Sequence, residues 1–288
     1  MHKIKVSEKF YSLQGEGRFV GVPSVFLRTF GCNFRCKQFG LPEPVTGKYN
    51  PEVESIVKNI DQFKIFDELP LVSTGCDTYA SIYPEFQHLS PYYTVEELRS
   101  EFSKLLGSDG LWTKPNGNDV HLVITGGEPL LGWQRVYPAL LEQESRYGLR
   151  NVTFETNGTQ AVNADLADFA DRYRDEIQFT FSVSPKLSAS GESWADAIKP
   201  EVVSRYENWG FTYLKFVVDC PAHFAEADRA VTEYREQGFM GPVYVMPVGG
   251  VVSVYDGNKF NIAEAALERG YCYSPRLHVD IWGNSWAK

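Results

Sequence analysis

From about residue 120 onward the chain alternates short β-rich runs with amphipathic stretches, and this alternation constrains the fold more than any other feature. The spacing predicts strands over Val120–Thr125, Asn151–Glu155, Gln178–Ser184, Tyr213–Asp219, Val243–Met246 and Arg276–Trp282, with an earlier one over Ser24–Thr29. Helical stretches between them cover Val136–Tyr147, Ala164–Tyr173, Glu201–Trp209, Ala225–Gln237 and Ile262–Arg269. Strands that alternate with helices build a parallel sheet, open or closed into a partial barrel. No repeat or low-complexity linker divides the 288 residues, so one domain is expected, near the ~250 residues usual for an α/β barrel.

One segment breaks the pattern. Gly40, Pro42 and Pro44 mark a loop, and Asn50-Pro51 then reads as an N-cap followed by proline at the first helical position. Val53, Ile56, Val57, Ile60 and Phe63 share one helical face, so roughly residues 40–72 form an inserted loop with its own short helix. A second helix follows, opened by the capping box Thr94–Glu97 and striped by Val95, Leu98, Phe102 and Leu105.

Unusual residues collect where the strands end. Thr125-Gly126-Gly127-Glu128-Pro129, Glu155-Thr156-Asn157-Gly158, Ser184-Pro185-Lys186 and Met246-Pro247-Val248-Gly249-Gly250 each follow a strand. Glycine and proline punctuate turns anywhere, which accounts for any one of these loops. Ligands of parallel α/β folds bind at the carboxyl ends of the strands, so the set places one site at one rim. Arg28 closes the apolar run Val25-Phe26-Leu27 and, once buried, needs an anion. A substrate carboxylate and an internal Asp or Glu serve equally; Lys186 and Lys215 raise the same question.

Composition narrows the function. A net charge of −9 argues against a binder of phosphate backbones, and no run approaches the ~18 apolar residues of a membrane span. The N-terminal stretch has no apolar signal core, so a cytoplasmic protein is expected. Five cysteines make an odd number, against a disulfide framework. Cys220 and Cys272 stand alone and read as small buried hydrophobes. Cys32 and Cys36 differ, lying four apart in an irregular segment beside Gly31, Asn33 and Arg35.

Together these residues resemble the 7-carboxy-7-deazaguanine synthase family of the radical S-adenosylmethionine (SAM) superfamily. The resemblance rests on Phe10-Tyr11-Ser12-Leu13-Gln14-Gly15-Glu16-Gly17, Pro23–Arg28, Gly31-Cys32-Asn33-Phe34-Arg35-Cys36, the four rim loops in order, and the ending Leu277–Asn284. It covers nearly the whole chain apart from the insertion. It implies a partial (β/α) barrel of the radical SAM type with the insertion in the cluster-binding loop. The superfamily pattern is Cys-x3-Cys-x2-Cys, but position 39 here is Phe. Gly75-Cys76-Asp77-Thr78 supplies the third thiolate, because the family sets Asp-Thr directly after its last cluster cysteine. Loop closure costs grow only as ~1.5RT ln n, so a long insertion that folds on itself is tolerable.

The implied reaction converts 6-carboxy-5,6,7,8-tetrahydropterin to 7-carboxy-7-deazaguanine, releasing ammonia, on the route to queuosine-type bases. Cys32, Cys36 and Cys76 would hold a [4Fe–4S] cluster whose open iron binds SAM. Gly75, Cys76, Asp77, Gly126, Gly127 and Glu128 would face the cofactors, the glycines giving close approach to the methionine end of SAM. Ser184, Pro185, Lys186, Met246, Pro247, Val248 and Gly249 would contact its carboxylate, ribose or adenine. Leu13, Gln14, Gly15, Glu16 and Thr125 would meet the pterin, and Arg28 its carboxylate. Thr78 would ligate Mg²⁺, with a plain turn hydroxyl as the other reading, and Lys288 would offer its terminal carboxylate. An electron-donating reductase or flavodoxin and a homodimer are further implications. Two rival readings remain: another radical SAM enzyme, such as a glycyl-radical activase, and a cluster-free binding protein.

Overall fold

The computed structural model describes residues 3–283 and 285–287. Among them one sheet contains β1 (Lys3–Leu13), β2 (Pro23–Thr29), β3 (Tyr92–Thr94), β4 (His121–Gly126), β5 (Asn151–Thr156), β6 (Gln178–Val183), β7 (Phe211–Val218), β8 (Val243–Pro247) and β9 (Cys272–Tyr273). The helices are α1 (Pro51–Lys58), α2 (Val95–Leu106), α3 (Tyr137–Ser145), α4 (Ala164–Arg172), α5 (Trp194–Ala197), α6 (Pro200–Tyr206), α7 (Pro221–Glu236), α8 (Val252–Arg269) and α9 (Leu277–Trp282). Strand order is β3-β1-β2-β4-β5-β6-β7-β8-β9. From β2 through β9 every pairing is parallel, while β1 runs antiparallel to both β2 and β3. The sheet is open, with β3 and β9 at its edges.

The period of two along each strand separates two environments. Val25, Leu27, Leu122, Ile124, Val152, Phe154, Phe181, Leu214 and Phe216 join the main core, under helices such as α3 and α4. The alternate positions Arg28, Thr125, Glu155, Ser182 and Lys215 line a cavity on the other face. Both faces are buried, but only one is apolar. Parallel strands all deliver their carboxyl ends to one rim, so the loops after β2, β4, β5, β6 and β8 meet there.

Local signals act as the sequence predicts at two caps. The Asn50 side chain accepts from Glu52 N, and Thr94 and Glu97 form a reciprocal capping box. Each such cap contributes about 1 kcal/mol. Around α1 a second apolar cluster gathers Val53, Ile56, Phe66, Leu69 and Val72 from the insertion with Tyr79, Ile82, Tyr83, Phe86 and Leu89 beyond it. The insertion therefore buries its own apolar face.

Three expectations are corrected. Arg276–Trp282 is not a strand: residues 277–282 form α9, and the last strand is the two-residue β9. Pro275, without an N–H, stops the ladder, and Val279 alone is buried on a helical face. α8 begins at Val252, ten residues before the expected start, because Asp256-Gly257-Asn258 reads as a turn along the chain yet lies inside the continuous helix. Cys272 is exposed on the edge strand and Cys220 half-buried, so neither is a core hydrophobe.

Candidate active site

A cavity of about 260 Å³ opens at the rim, lined by Cys32, Cys36, Cys76, Lys186, Arg28 and His278, among others. The cysteine loop follows β2 and is held by its neighbours. Glu192 Oε1 accepts from the backbone N–H groups of Arg35 (2.9 Å) and Cys36 (2.7 Å). The Arg35 guanidinium donates back to the carbonyls of Cys32 and Phe34. Cys36 takes a left-handed φ of 45°, a conformation a non-glycine residue keeps only when its surroundings hold it.

Cys76 reaches the same place by a closed excursion. Gly75 N–H donates to Phe39 O at 2.7 Å, so the chain leaves at residue 39 and returns beside it. Asn50 fastens the neck, donating to Lys37 O (3.2 Å) and Thr74 Oγ1 (3.1 Å). A Cβ on Gly75, whose φ is +76°, would lie 2.9 Å from that Asn50 amide. The excursion thereby returns the Cys76 thiol to the neighbourhood of Phe39 and Cys36.

Burial pushes the Cys32 thiol up to about 12, with the Glu128 carboxylate adding to it. Burial also raises Cys36 and Cys76, despite the nearby Lys186 ammonium. Thiolates in such a place need a cationic metal centre. The three sulfurs do not all lie within 4.8 Å of one another. A single tetrahedral zinc would draw them to ~3.8 Å, given Zn–S bonds of ~2.3 Å. Three thiols sharing one cavity are a donor set that an iron–sulfur cluster takes. Among the described residues the group close enough for one ion is Asp219, Cys220 and His223. His223 Nδ1 stands 2.5 Å from Asp219 Oδ1, and this pairing raises the imidazole and lowers the carboxylate. The ion pair accounts for that group without a metal.

The rim loops divide their work. Gly126, Gly127, Thr125, Ser184, Lys186, Met246, Val248 and Gly249 line the cavity; Glu128, Pro185 and Pro247 do not. Glu128 is fully buried and accepts from Leu130 N (3.0 Å), Thr156 Oγ1 (2.8 Å) and Asn157 N (2.7 Å). Asn157 in turn donates to Asn33 Oδ1 at 3.0 Å, so this carboxylate braces the cysteine loop. Gly127 needs its missing Cβ for the protein itself: an added methyl would sit 2.3 Å from Gly31 O and 2.8 Å from Cys32 Cβ. The Lys186 ammonium donates to Ser184 Oγ at 3.2 Å, and Thr78 Oγ1 lies 3.3 Å from Cys76 Sγ.

Elsewhere in the cavity wall the charges are paired. Arg28 Nε donates to Glu8 Oε2 at 2.7 Å, so the internal partner exists, and the guanidinium also borders the cavity. Lys215 Nζ meets Glu16 Oε2 at 2.5 Å, and Arg276 bridges Glu16 (3.1 Å) and Asp77 (2.7 Å). Burial works against the Glu16 carboxylate, but Lys215 and Arg276 hold it well below the usual range. Burial and Arg276 press the His278 imidazole down to about 4, leaving it neutral. Gln14 spends its backbone N–H and C=O on the turn to Val22 and Gly21, and its amide donates to Glu155 Oε1 at 3.0 Å. Leu13, Gly15 and Gly75 line the cavity as well, while Lys288 lies outside the described residues. Glu8, Arg276, His278 and Trp286 were not singled out from the sequence. Arg276 and His278 sat in a stretch read as a strand, and only the need of a buried arginine for an acid could have flagged them.

No family model matches the chain. A 7-carboxy-7-deazaguanine synthase from Halobacterium salinarum is 29% identical over 294 aligned residues, covering 98% of this chain and 91% of that one. The synthase of the same name from Pyrobaculum aerophilum is 28% identical over 286, covering 99% and 98%. One from Bacteroides thetaiotaomicron is 59% identical over 159 residues, about half of each chain. The crystal structure of QueE from Escherichia coli superposes with a TM-score of 0.54 at 20% identity, covering 96% of this chain and 95% of that one, a likeness of fold. The open parallel sheet gathers the three thiols at its carboxyl rim. The chain is thus similar over nearly its whole length to several proteins named 7-carboxy-7-deazaguanine synthase.

Proposed function

We infer that this protein converts 6-carboxy-5,6,7,8-tetrahydropterin to 7-carboxy-7-deazaguanine with release of ammonia. One observation supports this most: a single cavity joins the three thiols to a buried arginine that borders open space. Cys32, Cys36 and Cys76 are the residues to hold the cluster. Bound there, the cluster and SAM supply the hydrogen abstraction that the pterin needs. Ser184, Lys186, Met246, Val248 and Gly249 surround the space for SAM, beside Gly126 and Gly127. Arg28 presents its free edge to the substrate carboxylate, where a bidentate contact fixes orientation as well as charge. Leu13, Gln14, Gly15 and Thr125 border the pterin ring, with Glu155 aligned by the Gln14 amide.

Thr78 is the residue for Mg²⁺: it lines the cavity, and its hydroxyl stands 3.3 Å from Cys76 Sγ. A magnesium ion that takes one protein oxygen completes its shell with ligand and water oxygens. No helix among the described residues is long and apolar enough to cross a membrane. The protein works as one domain with its insertion at residues 40–72, in the cytoplasm, as a homodimer fed by a reductase or flavodoxin.

The test is anaerobic turnover of the pterin acid with SAM, Mg²⁺, a reductant and cluster-loaded protein, read by mass spectrometry. A product lighter by ammonia, formed with 5′-deoxyadenosine, supports the reading. Formation of 5′-deoxyadenosine without that product leaves a radical SAM enzyme with a different substrate.

A further inference from the structure

We propose that Trp286 is a positioning residue: docked in the core of the insertion, it holds the C-terminal tail against Glu8 and so sets Arg28 for the substrate carboxylate. Trp286 Nε1 donates to Leu69 O at 2.6 Å, and its ring meets Phe66 edge-on with centroids 5.0 Å apart. Tyr79 closes the other side at 6.3 Å. These partners belong to the insertion's apolar cluster, which also packs on Cys32 and Cys76.

The next residue carries the contact inward. Ala287 packs on the Phe10–Phe26–Val123 cluster of the inner sheet face, and its N–H donates to Glu8 Oε1 at 3.3 Å. The other oxygen of that carboxylate holds Arg28 Nε at 2.7 Å. Ala287 takes a φ of +60°, which an L-residue keeps only where its neighbours impose it. Trp286 is the imposing neighbour, since two rings and a carbonyl fix its side chain. Ser285, Trp286 and Ala287 also form part of the cavity wall. The insertion thereby acquires a task at the substrate end as well as beside the cysteines.

A buried carboxylate that loses a donor and its wall shifts or hydrates, and Arg28 moves with it. The inference rests on the reaction proposed above, and the experiment separates the two. Trp286→Ala and Trp286→Phe are compared with the unaltered protein, cluster-loaded, for the KM of the carboxylated pterin, the KM of SAM and iron content. The alanine variant should raise the pterin KM about tenfold or more, with iron and the KM of SAM unchanged. Inhibition by a tetrahydropterin without the carboxylate should be equal in both proteins. The phenylalanine variant, which keeps a ring but loses the bond to Leu69, should fall between. An unchanged pterin KM, or a joint loss of iron and SAM affinity, overturns the proposal. Hydrogen exchange supplies a reading without turnover: the alanine variant should lose protection in residues 66–72 and 3–13. If the unaltered protein turns over no pterin while that loss appears, the anchor stands and the substrate assignment fails. Exchange equal to that of the unaltered protein in both segments removes the anchor itself.

Discussion

Replacing Glu16 by Gln tests the ionic frame beneath the cavity. The frame holds two carboxylates, Glu16 and Asp77, against two cations, Lys215 and Arg276, with His278 neutral. Its formal charge is therefore zero, and the substitution leaves it at one positive charge. The side chains of Lys215 and Arg276 are only 5% and 8% exposed, so water cannot take up the difference. Breaking a buried pair from one side costs about 3–5 kcal/mol. Against a total stability of about 5–15 kcal/mol, that is a large fraction. With an m-value near ~3 kcal/mol/M, the urea midpoint should fall by about 1–1.7 M at pH 7. The pH dependence adds a sign. Glu16 is held below its ordinary range in the folded protein, so its contribution is full above the unfolded carboxylate pKa and fades as pH falls. The gap between the two proteins should shrink on acidification through the carboxylate range. A variant within about 1 kcal/mol of the unaltered protein at pH 7, or a gap that ignores pH, would refute the frame.

Three further outcomes follow from the same geometry. His278, pressed from 6.5 to about 4 in the folded state, must bind a proton on unfolding below its unfolded pKa. Stability should therefore be full above about pH 6.5 and fall by up to about 3 kcal/mol toward pH 4, with His278→Asn flattening that limb in urea melts. Cys76→Ser should prevent cluster assembly, seen as lost iron and visible absorbance, while Cys220→Ser keeps both; iron retained by the first variant would count against Cys76 as a ligand. Gly127→Ala would place a methyl 2.3 Å from Gly31 O and push the cysteine loop outward. It should cost about 1–3 kcal/mol and lower iron occupancy, measured by melting and metal content.

What the sequence by itself determined is whatever depends on near neighbours along the chain. The Asn50 and Thr94 caps, the strands from β4 to β8 and the rim loops all follow from residues a few positions apart, where propensity and period act. The meeting of Cys76 with Cys32 and Cys36 came instead from the family resemblance, through the Asp-Thr that follows it. The tertiary structure decided the rest, because those features need partners far away in sequence. β1 alternates over Lys3-Ile4-Lys5-Val6 until Glu8 interrupts the apolar face, and its antiparallel pairing with both β2 and β3 is a tertiary matter. Arg276, 260 residues from Glu16, acquires its meaning only when α9 folds against the Gln14–Gly17 turn. Arg28 was expected to need an anion, but the strand itself could not say that Glu8 was across the pairing, two oxygens shared with the tail. Trp286 carries no signal along the chain, and only the folded insertion supplies the pocket that holds it. Burial of charge and closure of long loops are settled by three-dimensional proximity, and a linear pattern carries neither.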